Sequence, residues 1–352
     1  MAVQDYSFES EFNGRNNLLT RKMIRLLSQD ARMPISGIAK ELGLSRVNVR
    51  KRLGRMEQEL GVRYVAELNE EVLGFTAQHL ISVKFDKKPD YDKIKALLEK
   101  SYMPQLAFTT KGSYDLIIYA VSASTMEYAH WDRSMQILLA EYGAEWKTSE
   151  IVHRHLGFCP IRPELLDRLA MPDKYRGMLK ILDDDARASF KDMSVKLNMH
   201  FNTVAYNFNK LVESGYVKRF TVTMDRPKDI SIYTFLTTFR PREGFEKASS
   251  SVRKFVMLED KDPLINRVLL SANLIGSYDL FLVGAFDNTE AAIKKFVGPY
   301  KKMYESQGIK IIGGEVDKVI LGKLPVRSVD TTKEYDTIVW DPNFEKKMPA
   351  DQ

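Results

Sequence analysis

Residues 26–62 read LLSQDARMPISGIAKELGLSRVNVRKRLGRMEQELGV, from Leu26 to Val62. Around this stretch the apolar residues recur at helical spacing in three bursts: Leu18 to Leu27, Ile35 to Leu42, and Arg46 to Leu60. In the third burst Val49, Leu53, Met56 and Leu60 follow one another at spacings of four, three and four, a stripe that a single helix would bury. Gly43-Leu44-Ser45 separates the second burst from the third. Gly43 suits the left-handed residue of a tight turn, Leu44 plugs the core, and Ser45 can cap the third helix by accepting a backbone N–H. Three short helices with a glycine turn before the last describe a helix-turn-helix.

Working outward, two landmarks occur twice in the same order. Asp30-Ala31-Arg32 returns as Asp185-Ala186-Arg187, and Gly112-Ser113-Tyr114-Asp115-Leu116 returns as Gly276-Ser277-Tyr278-Asp279-Leu280, at offsets of 155 and 164 residues. A duplicated two-part unit, A-B-A′-B′, follows. Copy A′ keeps the buried stripe as Val204, Phe208 and Leu211, replaces the turn glycine with Asn198, and opens its second helix on Ser189 with Asp192 three residues on, resembling a capping box.

Between the helical blocks the period changes. Strand-like stretches 77–85, 106–110, 114–122 and 145–156 alternate with helical stretches 91–102 and 126–142, giving β-α-β-β-α-β. Block B′ repeats this order over 232–321, with helices expected at Phe245 to Leu258 and Thr289 to Gln307, and with its extra residues around Glu259 to Ile265. The expected class is α+β: two winged-helix-type helix-turn-helix domains alternating with two ferredoxin-like βαββαβ domains. The expected division is helix-turn-helix 15–62, ferredoxin-like 63–158, a proline-marked linker 159–171, a divergent helix-turn-helix 172–219, ferredoxin-like 220–323, and a polar tail 324–352.

Composition narrows the function classes. The 352 residues are 44% hydrophobic and 11% aromatic, enough for packed cores, and the net charge of +6 favours an anionic partner. Cys159 is the only cysteine, which excludes an intrachain disulfide and a multi-cysteine zinc site. The opening residues carry no basic-then-apolar leader and no apolar run reaches bilayer length, so a cytoplasmic protein without membrane partner is expected.

The stretch 26–62 resembles the DNA-binding helix-turn-helix of the leucine-responsive/asparagine-regulator (Lrp/AsnC) family. That pattern, a helix ending in D-A-R, an E-L-A-x-x-L-G-L-S run and a T-V-x-x-R-I-x-R-L helix, is met by Ala39, Leu42, Gly43, Leu44, Ser45, Val49, Arg52 and Arg55. Block B resembles the family's ferredoxin-like regulatory domain, with its G-x-Y-D-L turn. The tandem arrangement departs from the usual single unit. The resemblance implies a transcription regulator that binds double-stranded DNA, with no cofactor and no catalytic residues, assembled as a homodimer or as an intramolecular pseudo-dimer.

The third helix of copy A carries Arg46, Arg50, Lys51, Arg52 and Arg55 without an acid among them, as phosphate neutralisation and guanine recognition in the major groove require. Ser45, Arg46, Asn48, Arg50, Lys51, Arg52 and Arg55 form the expected DNA-binding set, with Arg52 and Arg55 nearer the phosphate backbone or the packed side. The corresponding helix of copy A′ offers amides and hydroxyls instead, from Asn202, Thr203, Tyr206 and Asn207, with Lys210 its one charge. It reads either as a second DNA-binding set or as retained scaffold.

Gly112, Ser113, Tyr114 and Asp115, with Gly276, Ser277, Tyr278 and Asp279, have two readings: a shared structural need of a hairpin or, by the resemblance, the lining of an amino-acid effector cleft. His153 and His155 share a strand face but lack a visible third ligand, so no metal is expected. Two alternative functions remain open. One is a siroheme-decarboxylase-like tetrapyrrole enzyme using His79, His153, Arg154 and His155; the other is an architectural DNA-binding protein of low specificity.

Overall fold

A computed structural model describes residues 15–59, 61–224, 230–239, 268–287 and 309–325. The first helix-turn-helix is built from α1 (Arg15–Gln29), α2 (Ile35–Leu42) and α3 (Arg46–Glu59). Gly43 takes φ 63°, and the Asn48 N–H donates to Ser45 Oγ at 3.2 Å. Val49, Leu53 and Met56 are buried, each at most 7% exposed, whereas Leu60 lies outside the described residues. The connector helix α6 (Pro163–Leu166) leads to the second unit, α7 (Asp173–Asp184), α8 (Phe190–Leu197) and α9 (Phe201–Glu213). Asn198 ends α8 in the left-handed conformation, φ 50°, the position that Gly43 fills in the first unit. Ser189 Oγ accepts from the Asp192 N–H at 3.1 Å and donates to its carboxylate at 2.6 Å, because Asp is too short to reach the cap backbone as Glu does.

Two strands follow the helix-turn-helix units that the sequence reading did not separate out: β1 (Val62–Leu68) and β6 (Val217–Met224). They form a two-stranded antiparallel sheet of their own. Tyr64 faces Val222, Ala66 faces Phe220, and Val65 faces Thr221, its own counterpart in the duplicate. An approximate two-fold axis therefore passes through the Val65–Thr221 pair. Residue 62 is thus no clean break, since β1 starts there and reaches across to the other copy.

The ferredoxin-like blocks comprise β2 (Ala77–Phe85), α4 (Tyr91–Glu99), β3 (Pro104–Gly112), β4 (Leu116–Ser122), α5 (Thr125–Leu139) and β5 (Ala144–Leu156) in the first copy. The second supplies β7 (Ile230–Phe239), β8 (Val268–Gly276), β9 (Leu280–Asp287) and β10 (Ile309–Leu321). The helices expected at 245–258 and 289–307, the loop 259–265 and most of the tail lie outside the described residues.

Each sheet runs second-third-first-fourth strand, and the last strand of each copy pairs with the second strand of the other, closing an eight-stranded barrel in the order β10-β3-β4-β2-β5-β8-β9-β7. Alternation along β4 sorts the two cores. Leu116, Ile118 and Ala120 pack under α4 and α5, while Ile117, Tyr119 and Val121 face inward to meet Leu236, Phe281 and Val283 of the other copy.

Candidate nucleic-acid interface and ligand cleft

The stripe of α3 is turned inward by the packing of Val49, Leu53 and Met56 against α1, α2 and β1, so the rest of the helix faces solvent. Arg46, Asn48, Arg50, Lys51 and Arg55 are exposed, Arg52 is half-buried, and Ser45 lies exposed at the helix start. Val47, 71% exposed, sits among them. The arrangement is a cationic rod presented outward from a packed scaffold, the geometry that phosphate and major-groove contacts need.

On α9 the exposed side chains are Phe201, Asn202, Thr203, Tyr206, Asn209 and Lys210. Lys210 is held by Glu213 at 2.9 Å. One expectation is corrected: Asn207 is 2% exposed and donates its side-chain N–H to the Thr203 carbonyl at 2.9 Å, so its amide belongs to the core side of α9 and not to a groove-facing surface. The helical pattern allowed either, because position 207 borders the stripe set by Val204, Phe208 and Leu211.

The repeated D-A-R segments couple the two units. Arg32 Nη1 donates to the carbonyls of Ala186 and Ala188, and Arg187 Nη1 donates in return to those of Ala31 and Met33. The Ala31 N–H donates to the Phe220 carbonyl at 2.9 Å and the Ala186 N–H to that of Tyr64 at 3.0 Å. Arg32 also lies over the rings of Phe208, at 4.6 Å, and of Phe220 and Phe190, whereas Arg187 lies over Tyr64 at 5.2 Å. Burial and the facing Arg187 charge both lower the pKa of Arg32, and two nearby guanidiniums are tolerated because backbone carbonyls accept hydrogen bonds from both.

The Gly-Ser-Tyr-Asp-Leu turns sit where the two sheets join. A Cβ on Gly112 would meet the Gly313 carbonyl and lie 2.6 Å from Gly314 Cα, and on Gly276, at φ 129°, it would lie 2.9 Å from the Thr148 carbonyl. Tyr114 crosses the barrel and donates to the Thr234 carbonyl at 2.9 Å; in the reverse sense Tyr278 receives the Ser82 hydroxyl at 3.1 Å. The Ser113 N–H goes to Gly313, the Ser277 N–H to Thr148, the Asp115 N–H to Val83 and the Asp279 N–H to Thr237. Asp115 accepts from Lys84 at 2.8 Å and from the Phe85 N–H at 2.8 Å. Of the expected effector set Gly112, Ser113, Tyr114, Asp115, Gly276, Ser277, Tyr278 and Asp279, the N–H groups of Ser113, Asp115, Ser277 and Asp279 and the Asp115 carboxylate are thus engaged within the chain, and both tyrosines are buried.

The cleft lies beside them. An open cleft of roughly 420 Å³ is bounded by α5, β2, β5 and Ile275, with His79, Tyr128, Asp132, Arg133, Thr148 and Glu150 around it. Asp132 is its hub, accepting from Tyr128 Oη, Trp146 Nε1, Thr148 Oγ1 and Gln136 Nε2 at 2.7 to 3.1 Å. His79 stacks on Tyr128 with ring centroids 3.4 Å apart, and burial lowers its pKa to about 4. Sequence reasoning picked out His79 only for the tetrapyrrole alternative and missed Asp132 and Thr148, whose partners come from separate elements.

The other residues of that alternative lie elsewhere. Arg154 is half-buried and paired with Glu70 at 2.7 Å, and the His153 and His155 rings meet edge to face at 4.6 Å. His155 is 4% exposed, and burial lowers its pKa below the usual histidine value. Cys159 is buried, which pushes its thiol up to about 12 and leaves it unreactive.

Fold and site together define a paired helix-turn-helix protein mounted on a closed eight-stranded barrel. Residues 19–57 match the AsnC-type helix-turn-helix domain, and residues 174–218 match a winged helix-turn-helix DNA-binding domain. The chain is 31% identical over 102 residues to the HTH-type transcriptional regulator LrpA of Pyrococcus horikoshii, covering 28% of this chain and 69% of that one. It is 28% identical to the HTH-type transcriptional regulator FL11 of Pyrococcus furiosus, covering 28% of this chain and 66% of that one, and 27% identical to the regulatory protein AsnC of Haemophilus influenzae, covering 31% and 73%. The matched part is thus about two thirds of each relative and under a third of this chain. The chain belongs to the Lrp/AsnC family.

Its tandem architecture has a solved counterpart in fold. The siroheme decarboxylase NirDL superposes with a TM-score of 0.56 over 91% of this chain and 98% of that one, at 12% identity. Among the described residues no helix is long and apolar enough to cross a membrane.

Proposed function

We propose that this protein is a DNA-binding transcription regulator in which one chain supplies both helix-turn-helix units of a dimer. The observation that carries this reading is the outward cationic face of α3 on a helix whose Val49, Leu53 and Met56 are buried. Counterion release from the phosphates supplies most of the affinity, so binding falls steeply with salt. Ser45, Arg46, Asn48, Arg50, Lys51 and Arg55 make the contacts, with Arg52 at the packed margin. In a gel-shift or anisotropy titration, Arg50→Ala with Lys51→Ala should weaken binding by at least about tenfold and reduce the salt slope by roughly two. Unchanged affinity and slope would defeat the reading.

A small polar effector is best accommodated in the cleft at Asp132. Arg133 and Glu150, both exposed at its rim, offer opposite charges to the two ends of an amino acid, and Gln136 and Thr148 offer neutral hydrogen bonds. Thermal-shift measurement across the amino acids, repeated on Asp132→Asn, identifies such a ligand. The superposition with the decarboxylase concerns the fold alone. Against an enzymatic reading, Arg154 is already paired with Glu70 inside this chain.

A further inference from the structure

The two recognition helices are held in one rigid frame, yet they present different chemistry. The frame is the reciprocal Arg32 and Arg187 clasp together with the β1–β6 ladder, whose approximate two-fold axis relates α9 to α3. On α3 the outward residues are Arg46, Asn48, Arg50, Lys51 and Arg55. On α9 they are Phe201 at 49% exposure, Asn202, Thr203 and Tyr206 at 62%, and the single cation Lys210 is tied to Glu213. Asn202, Thr203 and Tyr206 occupy the first turn and a half of α9, the part of a recognition helix that meets base edges.

Resting on the reading of the protein as a DNA-binding regulator, we infer that its operator is asymmetric and composite: a G·C-containing half-site read by α3, and an A·T half-site read by α9 about one helical turn (~10 bp) away. Arginine forks match the O6 and N7 atoms of guanine. An asparagine amide matches N6 and N7 of adenine, and a phenyl ring and a threonine methyl pack on the thymine C5-methyl group. The helices also divide the work of affinity. With no free cation, α9 neutralises almost no phosphate and binds weakly alone. The clasp raises its effective concentration over the adjacent groove once α3 has docked, so it contributes discrimination where it could not contribute capture.

Selection of bound duplexes from a random DNA pool by the full chain tests this, followed by anisotropy on the selected site with Asn202→Ala and Arg50→Ala variants. The expected motif has fixed guanines in one half and A·T pairs in the other. Asn202→Ala should relax preference at the A·T half by roughly tenfold and leave the salt slope unchanged. Arg50→Ala should weaken every sequence and lower the slope by about one. A palindrome with guanines in both halves, or a single half-site indifferent to the Asn202 change, overturns the composite operator while leaving the regulator reading intact. If no sequence is enriched, both fall. Circular dichroism of each variant establishes that the helices remain folded, since both substitutions are at exposed positions.

Discussion

At the residue scale, the repeated glycines and the cleft histidine have separable consequences. Gly112 lies against the backbone of Gly313 and Gly314, which cannot withdraw without parting β3 from β10. Gly112→Ala should therefore destabilise the protein by about 3 kcal/mol, the upper range for inserting an atom into a packed region, while an alanine at half-buried Gly54, where a Cβ meets nothing within 4 Å, should not. Urea denaturation of the two variants checks the contrast. His79 is held neutral with its pKa near 4, against 6.5 when free. Between pH 6.5 and about 4 the unfolded chain takes up a proton that the folded chain refuses, so this residue's contribution is complete above pH 6.5 and is lost as the pH falls. After allowance for the partly open cleft, the loss is on the order of 2 kcal/mol. His79→Phe keeps an aromatic ring against Tyr128 and should flatten that slope. A variant with the same pH dependence as the parent would show that His79 is not the titrating group.

At the scale of elements, the arginine clasp is what turns two helix-turn-helix units into one reading head. Arg32 bonds two carbonyls and stacks on three phenyl rings, a combination that a planar fork can make and an ammonium cannot. Arg32→Lys should accordingly lose about 2 kcal/mol of stability despite keeping the charge. Stability equal to the parent in chemical denaturation would show the clasp to be incidental. The elements themselves were largely legible. The bounds read for α2 and β2 coincide with the observed Ile35–Leu42 and Ala77–Phe85, because an unbroken apolar period with punctuation at both ends marks them. Strands β1 and β6 were passed over since each follows a helix-turn-helix closely and finds its partner far along the chain, as Val65 does at Thr221. Asn207 was misplaced for a related reason: helical periodicity marks the centre of a buried stripe better than its edge.

For the whole molecule, closure of the barrel by β5–β8 and β3–β10 pairing means that neither copy completes its sheet alone. The connector residues Leu165, Leu166 and Leu169 and the helices α7 and α9 are part of the same apolar cluster as the barrel interior. Heat should unfold the chain in a single calorimetric transition, with van't Hoff and calorimetric enthalpies in agreement. Two resolved transitions, or cleavage in the connector that leaves two independently folded halves, would contradict that coupling.

Local order dictated which segments are helix or strand, which face of each is buried, where the turns take a left-handed residue, and that the charge of α3 faces away from its apolar stripe. Those properties depend on residues a few positions apart. What covers each buried face was decided by the tertiary structure alone: Arg32 finding Ala186, Tyr114 crossing to Thr234, Gly112 closing on Gly314, and Asp132 gathering four donors into a cleft. A periodic sequence specifies that a surface must be removed from water, and only the folded chain specifies the partner, because that depends on contacts between segments far apart along the backbone.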